Sequence, residues 1–313
     1  MILRDLRQAD GAEFFSLMER GFPAESALLG NRPEEFQKIF RRLFRWDTRF
    51  LLGLLRLFGR PIVRALVVEE AGKVVATTLV TFPRGSAYVS NVVVDPDYRR
   101  RGYAKAMLEE ARATARRTKR PFIALDVLET NTGARALYES LGYRPLHARA
   151  QLVQDDPQRF LTTTPRSAPV RPIRRSDVPT LVEVLRRQTP TEVEKVLPTG
   201  PDRFLANGMA NRMLASEEAS WVLDRGSGPE AHVAATVSDA MEAAHLTAPT
   251  LSESVDDRMA VELVSTAGAW CAARKSPRIL TMVAADNPRA RAALEAVGFH
   301  DAHSLWTLYR PVD

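Results

Sequence analysis

The stretch Val89-Ser90-Asn91-Val92-Val93-Val94-Asp95-Pro96-Asp97-Tyr98-Arg99-Arg100-Arg101-Gly102-Tyr103-Ala104 decides how this chain reads. It starts as an apolar strand, turns at Asp95-Pro96-Asp97 and opens a long amphipathic run over 102–118. Ala104, Met107, Leu108, Ala111 and Ala115 share one face of that run at three- and four-residue spacing, so it reads as a helix packed on a sheet. The first amides of a helix have no internal acceptors, and the helix dipole adds partial positive charge beside them. Gly102 permits dihedrals that a β-carbon forbids and lets a ligand approach the backbone closely. Ala104 is too small to block that approach, and Arg99, Arg100 and Arg101 can neutralise phosphate charge. A strand, a basic glycine-containing turn and a helix start so joined form an anion site, and a pyrophosphate is its expected occupant.

Downstream, the apolar strand Pro121-Phe122-Ile123-Ala124-Leu125-Asp126-Val127 leads into Asn131-Thr132-Gly133-Ala134-Arg135-Ala136-Leu137-Tyr138-Glu139-Ser140-Leu141-Gly142-Tyr143. Asn131 reads as a helix N-cap and Gly142 as its C-cap. Ala134, Leu137, Tyr138 and Leu141 lie on one face of the helix between them.

Together these two segments resemble the GNAT family of acetyl-CoA-dependent acyltransferases. Arg99, Gly102 and Ala104 stand at the pattern positions of its pyrophosphate loop, and 131–143 is similar to its Asn-x-x-Ala-x-x-Leu-Tyr-x-x-x-Gly-aromatic helix. The resemblance covers roughly residues 1–153. It implies an α/β fold with a central mixed, mostly antiparallel sheet and helices on both faces. The two strands before the motif helices would splay apart to admit the pantetheine arm. It further implies acetyl-CoA as cosubstrate, contacted by Val92, Val93, Val94, Arg99, Arg100, Arg101, Gly102, Tyr103 and Ala104. Backbone groups of Val92 and Val94 would meet the pantetheine and the thioester carbonyl. Asn131 and Ala134 join that set, although Asn131 is equally explained as a cap alone.

The chain also repeats itself. Leu3-Arg4-Asp5-Leu6-Arg7-Gln8-Ala9-Asp10 is matched by Val170-Arg171-Pro172-Ile173-Arg174-Arg175-Ser176-Asp177. Asn131 to Tyr143 is matched without a gap by Asn287-Pro288-Arg289-Ala290-Arg291-Ala292-Ala293-Leu294-Glu295-Ala296-Val297-Gly298-Phe299. Residues 154–169 are rich in Thr, Pro and Ser and read as a linker. The expected organisation is therefore a catalytic, acetyl-CoA-binding domain over 1–153 and a degenerate GNAT-like domain over 170–313. At the same offset Arg258 replaces Gly102, Val255-Asp256-Asp257 replaces the three arginines, and Leu294 replaces Tyr138. Two aspartates repel a phosphate, and no glycine lies between Val233 and Thr266 to restore the loop.

Acetyl transfer from a thioester to an amine needs a neutral amine, donors for the tetrahedral oxyanion and a proton for the leaving thiolate. On the resemblance, Tyr138 serves the leaving sulfur. Tyr88 and Ser90 alternate with Val92 and Val94 and are expected on one strand face toward the acceptor; Tyr88 leads as general base, ahead of Glu69, Glu70 and Asp126. The expected reaction is direct attack of an acceptor's primary amine in a ternary complex. A non-catalytic acyl-CoA-binding regulatory or interaction protein is the alternative; it keeps the phosphate loop and has no need of the Tyr138 hydroxyl.

Bulk properties narrow the remaining classes. A length of 313 residues suits two domains. Residues 1–165 hold 27 Lys/Arg against 19 Asp/Glu, and the rest hold 17 against 19. A basic first half suits an anionic ligand such as CoA, and nucleic acid is not the expected partner. Residues 38–60 are basic and aromatic; they are read as the second helix of the fold, beside the acceptor groove, and no membrane partner is expected. Met1-Ile2-Leu3-Arg4-Asp5 is broken by charge at once and does not read as a signal peptide. One cysteine, Cys271, forms no intrachain disulfide and fits a reducing cytoplasm. His232, His245, His300 and His303 lack metal spacing, so no metal is expected. The last strand offers an edge through which a homodimer can form.

Overall fold

The computed structural model describes residues 1–21, 63–162, 168–204, 216–238 and 243–313. The second helix expected at the basic aromatic run 38–60 lies outside the described residues, as does the middle of the expected linker. In chain order the elements are β1 (Ile2–Asp5), α1 (Gly11–Gly21), β2 (Val63–Glu70), β3 (Lys73–Thr81), β4 (Ser86–Val94), α2 (Tyr103–Arg117), β5 (Phe122–Leu128), α3 (Thr132–Ser140) and β6 (Arg144–Gln154). They continue with β7 (Val170–Pro172), α4 (Val178–Gln188), α5 (Thr191–Val196), β8 (Ser216–Asp224), β9 (Pro229–Ser238), β10 (Ala243–Thr247) and β11 (Thr250–Leu251). The chain closes with α6 (Asp257–Ala273), β12 (Arg278–Ala284), α7 (Pro288–Ala296) and β13 (His300–Pro311). Antiparallel pairs predominate; β4 with β5 and β10 with β12 are parallel.

Contacts divide the chain into two compact units. The first holds Met1–Leu146, Lys195–Pro198 and Trp306–Asp313; the second holds His147–Glu194 and Thr199–Leu305. The repeat boundary at 153/170 follows chain order, whereas these units follow packing.

In the first unit the strands run β1-β2-β3-β4-β5 and then the end of β13. Ala71 and Gly72, both with positive φ, turn the β2–β3 hairpin in the way that the strands' own twist favours. Leu66 and Val67 illustrate why both sheet faces are covered. Leu66 packs with Leu108 and Ala111 of α2, and Val67 packs with Leu17 of α1. A strand buried on both faces needs a continuous apolar run, which is what β2 carries.

In the second unit β12-β10-β9-β8-β7 follow the end of β6. Leu263, Val264 and Ala267 of α6 and Ala290, Ala293 and Leu294 of α7 cover one face. Val178 and Leu181 of α4, with Phe204 and Val222, occupy the other.

The repeated opening motif has a physical basis. Arg4 donates to both carboxylate oxygens of Asp10 at 2.6 and 2.8 Å and to Glu69 at 2.9 Å. Arg171 donates to Asp177 at 2.7 and 2.9 Å and to Asp224 at 2.6 Å. In each copy the aspartate also takes the amide of the residue three before it, at 2.7 Å. The arginine thus ties the first strand, the turn into the first helix and the end of the neighbouring strand. Arg171 holds the Asp177 carboxyl below the usual carboxylate range, and Asp177 is buried. Asp177→Asn is expected to remove about 1–3 kcal/mol of stability near neutral pH, because it takes the charge out of a two-point contact with Arg171, which keeps Asp224 as its remaining carboxylate. A depressed folded-state value gives stability that is fully present above the unfolded carboxylate range and is lost as pH falls through the folded value. Chemical denaturation of both proteins at neutral pH and near pH 3 checks this: the gap should narrow on acidification.

Candidate active site

The site in the first unit begins with a fault in β4. Its register against β3 pairs Ala76 with Val94 and Thr77 with Val93, then shifts so that Leu79 meets Ser90. Asn91 sits at φ 53°, in the left-handed region that asparagine tolerates better than most residues. This is a β-bulge, and it inverts the side-chain alternation. Val92 and Val94 pack toward α2, with Tyr103 and Met107. Val93 packs toward α1, with Leu17. Tyr88 points to the sheet face away from α2, among Phe122, Ala124 and Tyr309. The sequence reading put Tyr88, Ser90, Val92 and Val94 on one face. The bulge separates Tyr88 from Val92 and Val94, because one extra residue resets a two-residue period.

Beside the bulge the parallel strands part. β4 and β5 pair only over 86–89 and 122–125; no pairing joins Ser90–Val94 to the end of β5. Tyr138 of α3 sits across this divergence, in one cluster with Val89 of β4 and with Leu125 and Val127 of β5. Its ring centroid lies 5.9 Å from that of Tyr143. Burial pushes the Tyr138 phenol up to about 12. No bond to its hydroxyl is present among the described residues, so at neutral pH it is a protonated donor without a protein acceptor.

The loop after β4 is built from the backbone. Asp95 is buried, takes the Asp97 amide at 3.1 Å and pairs with Arg20 from the end of α1 at 2.8 Å. A short 3-10 turn, Pro96–Tyr98, follows. Arg100 at φ 63° and Gly102 at φ 82° then turn successive amides to one side. Among the described residues no acceptor takes the amides of 100–105. A β-carbon on Gly102 would meet nothing within 4 Å. Successive free amides at a helix start, beside open space at the glycine, are an arrangement able to take an anion.

The individual side chains sort as follows. Arg99 donates from Nε to the Val94 carbonyl at 3.3 Å. Arg101 lies over the Tyr98 ring at 4.9 Å and 3.5 Å from Glu70. Arg100 is exposed. Tyr103 is buried and its hydroxyl donates to Glu70, so only its amide is available to such an anion. Glu69 is held by Arg4 and Glu70 by Tyr103 and Arg101, which leaves both acids committed to the scaffold. Asp126 accepts from Thr307 at 2.7 Å. Asn131 caps α3, accepting the Ala134 amide at 3.1 Å.

Two contributors have no clear trace in the sequence reading. The Arg20–Asp95 pair fixes where the loop starts. Lys105 is exposed in the first turn of α2, where a cation opposes the helix dipole unless an anion sits nearby. Asn91 left a trace: an asparagine inside a valine run is a fair signal of a bulge.

The second unit lacks this arrangement. β10 pairs with β12 along its whole length, through Thr247 and Met282. The carboxylate of Asp256 caps α6 by taking the Met259 amide at 2.8 Å. Superposing helix starts sets Asp256 against Gly102, two positions from the sequence offset that set Arg258 there; either way a carboxylate stands at the helix start. Arg289 donates to the carbonyls of Ser252, at 3.0 Å, and Val255, filling the turn. Leu294, in the place of Tyr138, is fully buried.

Comparison with known proteins gives matches of two kinds, to part of the chain and to nearly all of it. Residues 23–143 match the family model described as acetyltransferase (GNAT) family. The ribosomal protein bS18-alanine N-acetyltransferase of Escherichia coli K12 is 36% identical over 76 residues, which are 24% of this chain and 51% of that protein. The chain thus spans about half the length of the curated relatives it matches. A tandem GNAT protein from the clavulanic acid biosynthesis pathway superposes with a TM-score of 0.65 at 17% identity, over 100% of this chain and 98% of that one. A GCN5-related N-acetyltransferase from Sphaerobacter thermophilus gives 0.66 at 16% identity, over 99% and 95%. At such identities these structures show a shared fold, and two of them share it over nearly the whole chain. No helix among the described residues is long and apolar enough to cross a membrane.

Proposed function

We propose, from the match of residues 23–143 to the acetyltransferase (GNAT) family model, that the first unit moves an acetyl group from acetyl-CoA to a primary amine by direct attack in a ternary complex. The observation that carries this reading is the pairing of the empty-handed amides at 100–105 with the divergence of β4 and β5 beneath Tyr138. A pyrophosphate fits the first and a pantetheine arm fits the second. The open space at Gly102 is where a β-carbon would intrude on the phosphates.

Each group then has a task. The amides of 100–105 and the side chains of Arg99, Arg100, Arg101 and Lys105 hold the phosphates. Val92 and Val94 present backbone groups along the open edge of β4 to the pantetheine and the thioester carbonyl, with Ala104 and Ala134 lining the path. Asn131 serves by capping α3 and so aiming Tyr138. The amine nitrogen bonds to the carbonyl carbon, and the carbon–sulfur bond breaks. Tyr138 donates its proton to the departing sulfur, and the amine's surplus proton passes to water, either directly or through the Tyr88 hydroxyl, which takes it as it gives up its own. An oxyanion forms transiently and collapses; donors fixed before the reaction stabilise it most. The amine comes from a small molecule or a peptide.

The phenol value near 12 sets the pH behaviour. Its neutral form is the donor, and burial favours that form, so Tyr138 stays competent through the working range. The rate should rise with pH as the acceptor amine loses its proton and hold level to about pH 10. An alkaline fall centred near pH 8 that vanishes in Tyr138→Phe would contradict this.

Calorimetric titration with acetyl-CoA tests the reading as a whole. One site per chain is expected. Two sites would show that the second unit also binds, and no heat would retire the proposal.

A further inference from the structure

The second unit carries a group of basic side chains that no part of the acetyl-transfer reading uses. Its sheet face opposite α6 and α7 presents His232 of β9, His245 of β10 and Arg149 of β6. Alternation fixes this, since Ala231, Val233, Ala244 and Ala150 pack toward α6 and α7. In register, Arg149 lies beside Ala284 at the end of β12, and His232 beside Thr250 just past β10. Both therefore stand at the carboxyl ends of the parallel pair, the end at which α/β sheets hold ligands.

Arg203 reaches the same end. It closes the turn Pro201–Arg203, and the next residue, Phe204, meets the His232 ring edge-on at 4.9 Å. His232 is 2% exposed and its Nε2 has no hydrogen-bond partner. Burial, helped by the Arg203 charge, drives this imidazole down to about 3, so it is neutral. Arg203 is open to solvent; even so, loss of surrounding water, with the charge of Arg149, lowers its guanidinium below the ordinary arginine value. No carboxylate bonds Arg203 or offsets its charge among the described residues.

A partly desolvated guanidinium with no carboxylate bonded to it among the described residues, beside a neutral histidine, is stabilised when an anion joins it. Its planar fork suits a carboxylate or a phosphate. We propose that the second unit binds the anionic group of a small molecule, a carboxylate or a phosphate, at Arg203 over the carboxyl ends of β10 and β12, with His232 in the floor. The degenerate unit is then a ligand-binding module in its own right, and this holds whether or not the first unit takes acetyl-CoA.

Thermal melts at fixed ionic strength test it, with inorganic phosphate and succinate as separate probes. At hundredfold excess over its dissociation constant, either probe should raise Tm by roughly 5 °C. Arg203→Gln should lose the shift, Arg203→Lys should retain a weakened one, and Gly102→Trp should keep it in full. A shift with phosphate alone or succinate alone identifies the anion. Without anion, Arg203→Gln should melt no lower than the native chain. A shift that survives Arg203→Gln and disappears in Gly102→Trp belongs to the first unit's loop and overturns the proposal. So does the absence of a shift with both probes, or an anion-free melting point well below that of the native chain in Arg203→Gln.

Discussion

Gly102→Trp is expected to weaken acetyl-CoA binding by at least about 100-fold while the protein stays folded. Gly102 sits at φ 82°, where an L-residue is strained, and that strain costs about 1 kcal/mol. Stability should therefore fall modestly. Among the described residues no atom lies within 4 Å of the position a β-carbon would take, so a side chain can leave the backbone there without meeting the fold. A bound ligand would meet it. The indole would project into the space beside the amides of 100–105, and a phosphate there would lose close approach to several donors at once. Charge-assisted hydrogen bonds of this kind contribute about 1.5–3 kcal/mol each, so losing two exceeds the stated factor. Calorimetry reads the affinity and circular dichroism reads the fold. Gly102→Ala should show a smaller loss, since a methyl group intrudes less. If Gly102→Trp binds acetyl-CoA like the native chain, these amides are not the phosphate site.

Tyr138→Phe is expected to lower kcat by about 100- to 1,000-fold with little change in acetyl-CoA affinity, the range for loss of a positioned acid. The substitution keeps the ring that packs with Val89, Leu125 and Val127. The native hydroxyl makes no bond among the described residues, so its removal leaves no protein group unsatisfied and should leave stability within about 0.5 kcal/mol. A hydroxyl that acts only when the thiolate departs affects the transition state and not the ground state, so kcat and kcat/KM should fall together. Stopped assays of CoA release measure the rate, and titration measures binding. No thioester cleavage in either protein would favour the regulatory, acyl-CoA-binding alternative. Equal rates in both would remove Tyr138 from the mechanism.

Much of this site is legible without coordinates, because its parts are local. A helix start has free amides wherever it occurs, and Gly102 after three arginines announces a backbone that bends toward an anion. Asn131 and Gly142 punctuate α3 by the same local rules, and three-and-four spacing puts Tyr138 on the face of α3 that packs on the sheet. The duplication is legible for a similar reason. Arg4 with Asp10 and Arg171 with Asp177 each pair across six positions, so the spacing itself carries the contact.

Other features depended on partners far away in the chain. Glu69 and Glu70 look like candidate bases in isolation; Arg4, Arg101 and Tyr103 occupy them only once the strands are assembled. Arg20 meets Asp95 across 75 positions. Arg203 and His232 have no local pattern at all; the turn that carries Arg203 reaches His232 only because Phe204 packs on the His232 ring across 28 positions of chain.

The sequence by itself therefore determined the class of fold, the glycine turn that opens α2, the helix that bears Tyr138 and the carboxylate at the matching helix start of the second copy. These rest on hydrophobic period, capping and glycine dihedrals, which act over a few residues. Only the tertiary structure decided which faces the side chains of β4 take, which acids are free and how far β4 and β5 stay paired. A single bulge at Asn91 inverts a two-residue alternation, and ion pairing depends on distances that chain order does not encode.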